Sequence, residues 1–447
     1  MKINPGIFKA YDIRGIYPQE INEDTAYLIG RAFVKFLRKK NPRIVIGQDN
    51  RLSSSALFKS LTKGITDQGA DVINIGLSTT PMLYFVVAHF KYDGGIEISA
   101  SHNPAQYNGF KLVREKAIPI SGESGIKEIK EMVLRREFKE AKKGRIMKKE
   151  VLKDFINFNL KGINLSKLKS LRIIIDTANG VAGILLFQIF KRVNCKVFHL
   201  YSKLDGRFPN HSPDPLKKEN LETLCNAIKR KKADLGAAFD GDGDRIIFID
   251  ELGRIISGDI ITALIAKLIL KERPGEKILY DVRSSSIVKE TIKEARGIPV
   301  VGRIGHSFIK EKMRNENIIF AGEFSGHYYH KSHYFFECPI FILLKILEII
   351  SQAQKPLSQI IKPFQKYFHS GEINFEVKEK GKILKKLEKK FKSEQIFKID
   401  GLRINFKDWW FLIRPSNTEP VIRLVVEAKT KKLMEEKVRQ IKSIIKN

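Results

Sequence analysis

Short β-branched runs alternate with stretches of helical apolar spacing along most of this 447-residue chain, and that rhythm narrows its possible folds more than any other feature. Leu28, Ile29, Ala32, Phe33, Phe36 and Leu37 recur at helical intervals, and Ile44 to Ile46 follow Pro42 as a strand. A helix near Ser54 to Thr66 and strands near Val72 to Ile75 and Ile96 to Ser99 continue the pattern. A second round opens at Leu171: strand Ile173 to Ile175, a helix after Gly180, a strand near Val197, a polar loop, a helix near Glu219 to Arg230, and strand Gly236 to Asp240. A third follows Gly258, with the apolar helix Ile260 to Leu270, strand Ile278 to Val282 and a helix from Ser307.

Such alternation predicts three similar α/β domains with mixed, largely parallel sheets. After Pro363 to Gly371 the pattern changes to strands near Ile373 to Val377, near Leu402 to Phe406 and on either side of Arg414 to Pro420, closed by a basic helix. That is a smaller C-terminal α+β domain. Boundaries near residues 148, 254 and 368 divide the chain into 1–148, 149–254, 255–368 and 369–447.

Lysine and arginine total 81 against 50 acids, a net charge of +31 that attracts anions of every kind: nucleic acid, membrane surfaces, phosphorylated small molecules. The basic residues are scattered among acids, as from Lys380 to Lys392 and from Glu435 to Lys446, where solvated helix faces put them. With no concentrated stripe and no recognised module, no nucleic-acid partner is expected. Lys345 and Glu348 interrupt the longest apolar run, and Met1 to Gly15 contain no signal-peptide core, so neither a membrane span nor export is expected. Cys195, Cys225 and Cys338 are far apart and fit a reducing compartment, hence a cytoplasmic protein.

Chemistry concentrates in loops at strand ends. The segment Gly94-Gly-Ile-Glu-Ile-Ser-Ala-Ser101-His102-Asn103-Pro104 is a strand entering a small, polar loop. Pro104 disfavours helix at Asn103, which leaves Ser101 reachable at the strand end; an ordinary Ser/Asn turn is the competing reading. No Gly-x-Ser-x-Gly elbow is present, which disfavours acyl transfer.

Asp240-Gly241-Asp242-Gly243-Asp244-Arg245 lies between apolar runs, with carboxylates at alternate positions that can converge on a hard cation. Without a cation they repel one another. Asp240, Asp242, Asp244 and Glu251 also match an EF-hand loop, but Arg245 stands where that loop needs glycine. An aspartyl phosphoryl acceptor and a solvated acidic loop are the other readings.

Gly322-Glu323-Phe324-Ser325-Gly326-His327, after the strand-like Ile318 to Phe320, offers carboxylate, hydroxyl and imidazole groups suited to vicinal sugar hydroxyls. His327, His330 and His333 also have a spacing that could suit a transition metal, although on a helix the third would turn away. Ile413-Arg414-Pro415-Ser416-Asn417-Thr418-Glu419-Pro420 combines a guanidinium fork with clustered donors, a cup for a phosphate dianion, against a plain hairpin turn.

With Phe8-Lys9-Ala10-Tyr11-Asp12-Ile13-Arg14-Gly15, Asp176-Thr-Ala-Asn-Gly-Val-Ala-Gly183, Phe208-Pro-Asn-His-Ser-Pro-Asp-Pro215 and Gly305-His306-Ser307, these segments resemble the signature set of the α-D-phosphohexomutases, in order and over the whole chain. The likeness is to the phosphomannomutase/phosphoglucomutase branch. It implies four domains around a central cleft, bearing in turn a phosphoserine loop, a metal-binding loop, a sugar-binding loop and a C-terminal phosphate-binding loop.

Ser101 would carry the phosphoryl group, and Asp240, Asp242 and Asp244 would hold Mg²⁺ with the Ser101 phosphate. Hexose 1,6-bisphosphate would be the intermediate and activator, turning over in the cleft so that phosphate moves between O1 and O6. Arg14, Lys111 and Arg245 would stabilise the transferring group, and Lys111 with His306 or His327 would exchange the proton. Tyr11, His102, Arg283, Glu323, Ser325, His327, Arg414, Ser416, Asn417 and Thr418 would bind the phosphosugar. Arg283 stands where some relatives have lysine, and Phe324 where many have methionine. The Gly-Glu-x-Ser-Gly-His form is shared with phosphoglucosamine mutases, which makes that activity the alternative within the class. A nucleic-acid-binding protein and a non-catalytic sugar-phosphate sensor are the alternatives outside it. A monomer or weak homodimer is expected.

Overall fold

Ile44, Val45 and Ile46 are fully buried, because the strand that carries them is covered on both faces. In the computed structural model, which describes residues 3–377, 379–392, 394–415 and 421–446, they lie inside a mixed sheet. Its strands are β1 (Ile13–Ile16), β2 (Arg43–Gln48), β3 (Asp71–Leu77), β4 (Gly94–Ile98), β5 (Tyr107–Arg114), β6 (Ile118–Pro119) and β7 (Ile146–Lys148). The order is β1-β5-β4-β2-β3-β7, with β6 on β5. β2 runs parallel to β3 and β4, whereas β5 is antiparallel to both β4 and β1.

Helices α1 (Glu23–Leu37), α2 (Ser54–Asp67), α3 (Thr80–His89) and α4 (Lys127–Arg135) pack against it. Ile29 and Phe33 of α1 and Leu57 and Leu61 of α2 share one core with Ile44, Ile46, Ile96 and Phe110. Asn22 caps α1 by accepting the Thr25 N–H at 3.0 Å, and Glu23 and Asp24 occupy the positive end of its dipole. α3 starts behind Thr79, whose hydroxyl accepts the Met82 N–H at 3.3 Å.

The second round forms β8 (Leu171–Asp176), β9 (Cys195–Leu200), β10 (Leu235–Phe239), β11 (Ile246–Ile249) and β12 (Ile255–Ile256), in the order β12-β11-β10-β8-β9. Helices α5 (Leu152–Leu160), α6 (Ala182–Phe190) and α7 (Lys218–Lys231) accompany them. β10 is parallel to β8 but antiparallel to β11, with Phe239 opposite Ile246, so residues 240–245 form the loop of a hairpin. An EF-hand is thereby excluded for this segment: strands, not helices, flank the loop, and Glu251 instead accepts the Ser358 N–H at 3.2 Å.

By packing, the chain divides into two compact units: Met1–Ile256 with Ser325–Ile360, and Ser257–Phe324 with Ile361–Asn447. The apolar helix Pro339–Ala353 thus belongs to the first unit, where it meets α5. Lys345 and Glu348, the charges that interrupt its sequence, pair at 2.9 Å; Lys345 also donates to the Gly162 carbonyl at 3.0 Å and Glu348 accepts the Asn164 N–H at 3.3 Å. Among the described residues no helix is long and apolar enough to cross a membrane.

The second unit opens with α8 (Gly258–Glu272), β13 (Lys277–Asp281), α9 (Ser286–Glu294), β14 (Ile298–Gly302), α10 (His306–Asn315) and β15 (Phe320–Gly322), with β13 parallel to both β14 and β15. Its C-terminal part is an antiparallel sheet of Phe368–His369, Val421–Ala428, Trp409–Pro415, Leu402–Asn405 and Gln395–Phe397, with Ile373–Glu376 also on Val421–Ala428. Helices Lys380–Lys390 and Lys431–Lys446 cover a core of Ile404, Phe411, Ile413, Leu424 and Val426, which gives the α+β layer.

α1 and α2 cross at Gly30 and Gly64, and a Cβ on Gly64 would stand 2.1 Å from the Tyr27 carbonyl oxygen. Overpacking of this kind costs about 1–3 kcal/mol, whereas alanine gains about 1 kcal/mol over glycine inside a helix. Since the obstacle is backbone and cannot swing aside, we expect Gly64→Ala to lower the thermal midpoint. A midpoint at or above that of the wild type would show that the helices separate freely.

Candidate active site

Ser101 follows β4 at the sheet's carboxyl edge and adopts φ +51°, a left-handed conformation costly for a residue with a Cβ. Several contacts hold it there. The Ser99 hydroxyl accepts the Ser101 N–H at 2.9 Å. The Arg51 guanidinium donates to the carbonyls of Ser101 (2.8 Å), Asn103 (2.6 Å), Pro104 (2.6 Å) and Tyr107 (3.0 Å). Its own Nε is fixed by Asp49 at 3.1 Å, and the Phe208 ring faces it at 5.0 Å. Arg14 adds a bond to Asn103 Oδ1 at 2.6 Å and pairs with Asp12.

The serine hydroxyl donates to Asp240 Oδ2 at 2.9 Å. Asp240 Oδ1 accepts the backbone N–H groups of Asp244 (3.1 Å) and Arg245 (3.2 Å), so this carboxylate is immobilised by its own loop. Lys111 on β5 donates to Asp242 Oδ2 at 2.5 Å and to Asp244 Oδ2 at 2.6 Å. Thr80, the first residue of α3, gives its hydroxyl to the same Asp242 oxygen at 2.5 Å and its N–H to the Asp242 carbonyl at 3.0 Å. His327 Nε2 lies 3.3 Å from Asp244 Oδ1 and accepts from Arg245 Nε at 3.3 Å.

Burial and the repulsion of Asp244 and Asp242 push the Asp240 carboxyl well above its usual range. Burial acts the same way on Asp244 but is outweighed by Lys111 and His327, which hold it well below that range. Lys111, in turn, is raised well above its ordinary value: burial opposes its charge, and Asp242 and Asp244 more than compensate. The pKa of His102, 3.3 Å from the Ser101 hydroxyl, is pushed well below its ordinary value by burial and by Arg245 and Arg14.

One oxygen from each of Asp240, Asp242 and Asp244 lies within 4.8 Å of the others, the sole such group of metal-ligating side chains among the described residues. Asp242 Oδ1 is buried without a hydrogen-bond partner among the described residues. An all-oxygen donor set in which Asp244 Oδ1 also lacks a hydrogen bond among the described residues, with the His327 ring nearby, fits a hard divalent cation. One neighbouring signature segment braces this loop, the Val181 N–H reaching the Gly241 carbonyl at 3.3 Å, and two such segments meet each other where His211 Nε2 lies 3.1 Å from Asp176.

The Gly322–His327 segment is divided. Ser325 meets His327 Nδ1 at 3.1 Å, and both belong to the first unit, which carries the aspartate cluster. Glu323 belongs to the second unit, 3.6 Å from Arg283. The three groups expected on one sugar edge therefore serve two networks. Nor do His327, His330 and His333 form a metal site: the chain passes from strand Tyr328–His330 into a tight turn, and His333 packs 4.6 Å from Phe341, where burial drives its pKa down to about 3.

In the second unit Arg283 is gripped by Asp281 at 2.7 Å, Arg414 lies near the end of its strand beside Glu372 at 3.2 Å, and His306 begins α10. Ser416, Asn417 and Thr418 lie outside the described residues. Tyr11 is half-buried just before β1. Sequence reasoning missed Arg51, Thr80 and Glu372. The signal for Arg51 was available, since Asp49-Asn50-Arg51 follows a buried strand just as Ser101 does.

Family models for phosphoglucomutase/phosphomannomutase α/β/α domains I, II and III match residues 5–140, 150–253 and 257–367, and that for the C-terminal domain matches 372–443. The chain belongs to the phosphoglucomutase/phosphomannomutase family. Within it, the chain is 42% identical to a phosphomannomutase of Methanocaldococcus jannaschii over 98% of this chain and 97% of that one. It is 39% identical to the phosphomannomutase of Escherichia coli K12, over 98% of each. A crystal structure of a family member from Burkholderia thailandensis superposes with a TM-score of 0.91 at 33% identity, covering 99% of this chain and 98% of the other.

Groups behind metal ligands commonly set affinity by 10- to 100-fold. Thr80→Val keeps the side chain's shape and removes its bond to Asp242; because Lys111 still holds that oxygen, we expect a loss of Mg²⁺ affinity near the lower end, about tenfold, by calorimetry. Unchanged affinity would show that Thr80 serves the fold alone.

Proposed function

We propose that this protein is a hexose phosphate mutase that interconverts the 1- and 6-phosphates of mannose and glucose through a phosphoserine at Ser101. The observation that carries this reading is the Ser101 hydroxyl itself, held in a left-handed loop 2.9 Å from a buried three-carboxylate cluster. Full-length relatives named phosphomannomutase support the choice of sugar.

In the first half-reaction the Ser101 O–P bond breaks as the sugar hydroxyl forms its own, and in the second the other phosphate of the hexose 1,6-bisphosphate returns to Ser101. Mg²⁺, held by Asp240, Asp242 and Asp244, would supply charge to the transferring phosphoryl oxygens. Lys111, kept as an ammonium by its two aspartates, contributes positive charge rather than a base. Arg14 and Arg245 add to it. The hydroxyl proton then passes to an imidazole, with His327 in the first unit and His306 in the second as the acceptors. Glu323 and Ser325 accept from or donate to sugar hydroxyls, and Arg283, Tyr11 and His102 add further contacts to the phosphosugar. Arg414 holds the non-reacting phosphate with Ser416, Asn417 and Thr418. Hexose 1,6-bisphosphate primes the serine. The free cysteines Cys195, Cys225 and Cys338 suit a cytoplasmic enzyme.

Intact-mass measurement with peptide mapping should find one phosphate on Ser101. Ser101→Ala should lower kcat by more than about 10³-fold, since loss of a covalent nucleophile costs up to about 10⁶-fold, while mannose 6-phosphate binding persists. Retention of full rate by the alanine variant would refute the mechanism. Assayed on mannose, glucose and glucosamine 1-phosphates, the enzyme should prefer the first two; turnover of the amino sugar alone would reassign the substrate.

A further inference from the structure

One carboxylate in the second unit stands between two guanidinium groups and has no part in the chemistry above. Glu372 Oε1 accepts from Arg414 Nε at 3.3 Å and Nη2 at 3.2 Å, and Glu372 Oε2 lies 3.4 Å from Arg283 Nη1. The remainder of the Arg283 fork meets Asp281, at 2.7 Å through Nη2 and 3.2 Å through Nε, with Glu323 3.6 Å from Nη2. Asp400 is another anion near Arg414, at 3.9 Å. Burial works against ionisation of Glu372, but Arg283, Arg414 and Arg423 outweigh it and hold its carboxyl below the ordinary range. Glu372 follows Gly371, whose φ is +71°, and immediately precedes strand Ile373–Glu376.

An arginine at position 283 matters to this arrangement. A guanidinium can offer Nη2 and Nε to Asp281 while Nη1 faces Glu372, whereas an ammonium has no such planar fork. Arg283 and Arg414 are both nearly buried, 4% and 9% exposed; Asp281 already neutralises Arg283, whereas the anion within hydrogen-bond distance of Arg414 is Glu372, which Arg414 needs whenever substrate phosphate is absent.

We propose that Glu372 is a positioning residue that occupies Arg414 and Arg283 when no sugar phosphate is bound and exchanges with the phosphate dianion during turnover. This rests on reading Arg414 as the phosphate clamp. The exchange is noncovalent: the two N–H bonds from Arg414 to the carboxylate are replaced by bonds to phosphate oxygens, and re-form when the phosphate leaves. A dianion outcompetes a single carboxylate, so binding remains favourable. A mutase must also let go of that same phosphate between half-reactions, and a resident anion that recaptures the arginines eases the release. Without it, binding energy would be spent on a ground state that has to dissociate.

The test is Glu372→Gln, which preserves size. In a Ser101→Ala background, calorimetric titration with mannose 6-phosphate should show binding tightened by roughly three- to tenfold, the effect of removing one competing charge from a partly buried site. In the otherwise native enzyme KM should fall and kcat should fall with it. Glu372→Asp, which retains the charge, should return both toward wild type and guards against a folding defect in the glutamine variant. Unaltered binding and kcat, or a raised KM with unchanged kcat, would overturn the proposal and leave Glu372 a structural ion pair. Arg414→Ala tells the clamp from the exchange. If it weakens mannose 6-phosphate binding while Glu372→Gln has no effect, only the exchange is wrong; if it leaves binding intact, the clamp reading falls and the exchange with it.

Discussion

Lys111 is the charge on which the active-site loop depends. Asp240, Asp242 and Asp244 are each at most 2% exposed, and three carboxylates so close repel one another strongly in a medium that screens poorly. The ammonium between Asp242 and Asp244 offsets that repulsion before any cation arrives, and it is delivered by a strand of the neighbouring sheet rather than by the loop itself. A buried cluster of this kind contributes little to stability compared with apolar packing of equal volume. The cluster is better explained by binding a cation than by stabilising the fold. Glu97 stands opposite Lys111 in the β4–β5 register; burial pushes its carboxyl well above the usual range, and both its oxygens take the Ser78 hydroxyl.

The serine loop is held by a similar convergence. Left-handed backbone at Ser101 is tolerated because one guanidinium ties down the carbonyls around it, and the same guanidinium is anchored by Asp49 and faced by Phe208. Strain at a reactive residue persists only where its surroundings overdetermine it. Here the supporting groups come from separate stretches of chain, which is why the Ser101 hydroxyl can meet Asp240 at hydrogen-bond distance without a flexible approach.

Much of this was legible in the sequence. The alternation pointed to layered sheets because buried parallel strands must read as unbroken apolar runs, as Ile44 to Ile46 and Ile173 to Ile175 do. The aspartate triplet and Ser101 stood out because small and acidic residues gathered at strand ends serve chemistry more readily than they serve a core. Thr80 was hidden for a physical reason: it acts on Asp242 from a separation of 162 positions, and local spacing carries no trace of such a pair, whereas Arg51, 50 positions from the Ser101 carbonyl it holds, at least stands at a strand end. The strand read at Ile318 to Phe320 forms two residues later, at Phe320–Gly322, because apolar content marks burial and not hydrogen bonding.

The Gly322–His327 segment shows why motif chemistry and motif geometry have to be argued apart. Read as composition, its carboxylate, hydroxyl and imidazole belong to one recognition surface. In the fold, Glu323 answers to Arg283, whereas His327 answers to Asp244 and Arg245, and these are different electrostatic environments. The Glu323 carboxylate joins a network rich in guanidinium groups, and its oxygens are suited to accept from sugar hydroxyls. The His327 imidazole joins a cluster rich in carboxylates, with one ring nitrogen toward Asp244 and the other toward the Ser325 hydroxyl. The hexapeptide thus supplies a carboxylate to one network and an imidazole to the other, and its composition alone does not tell the two apart.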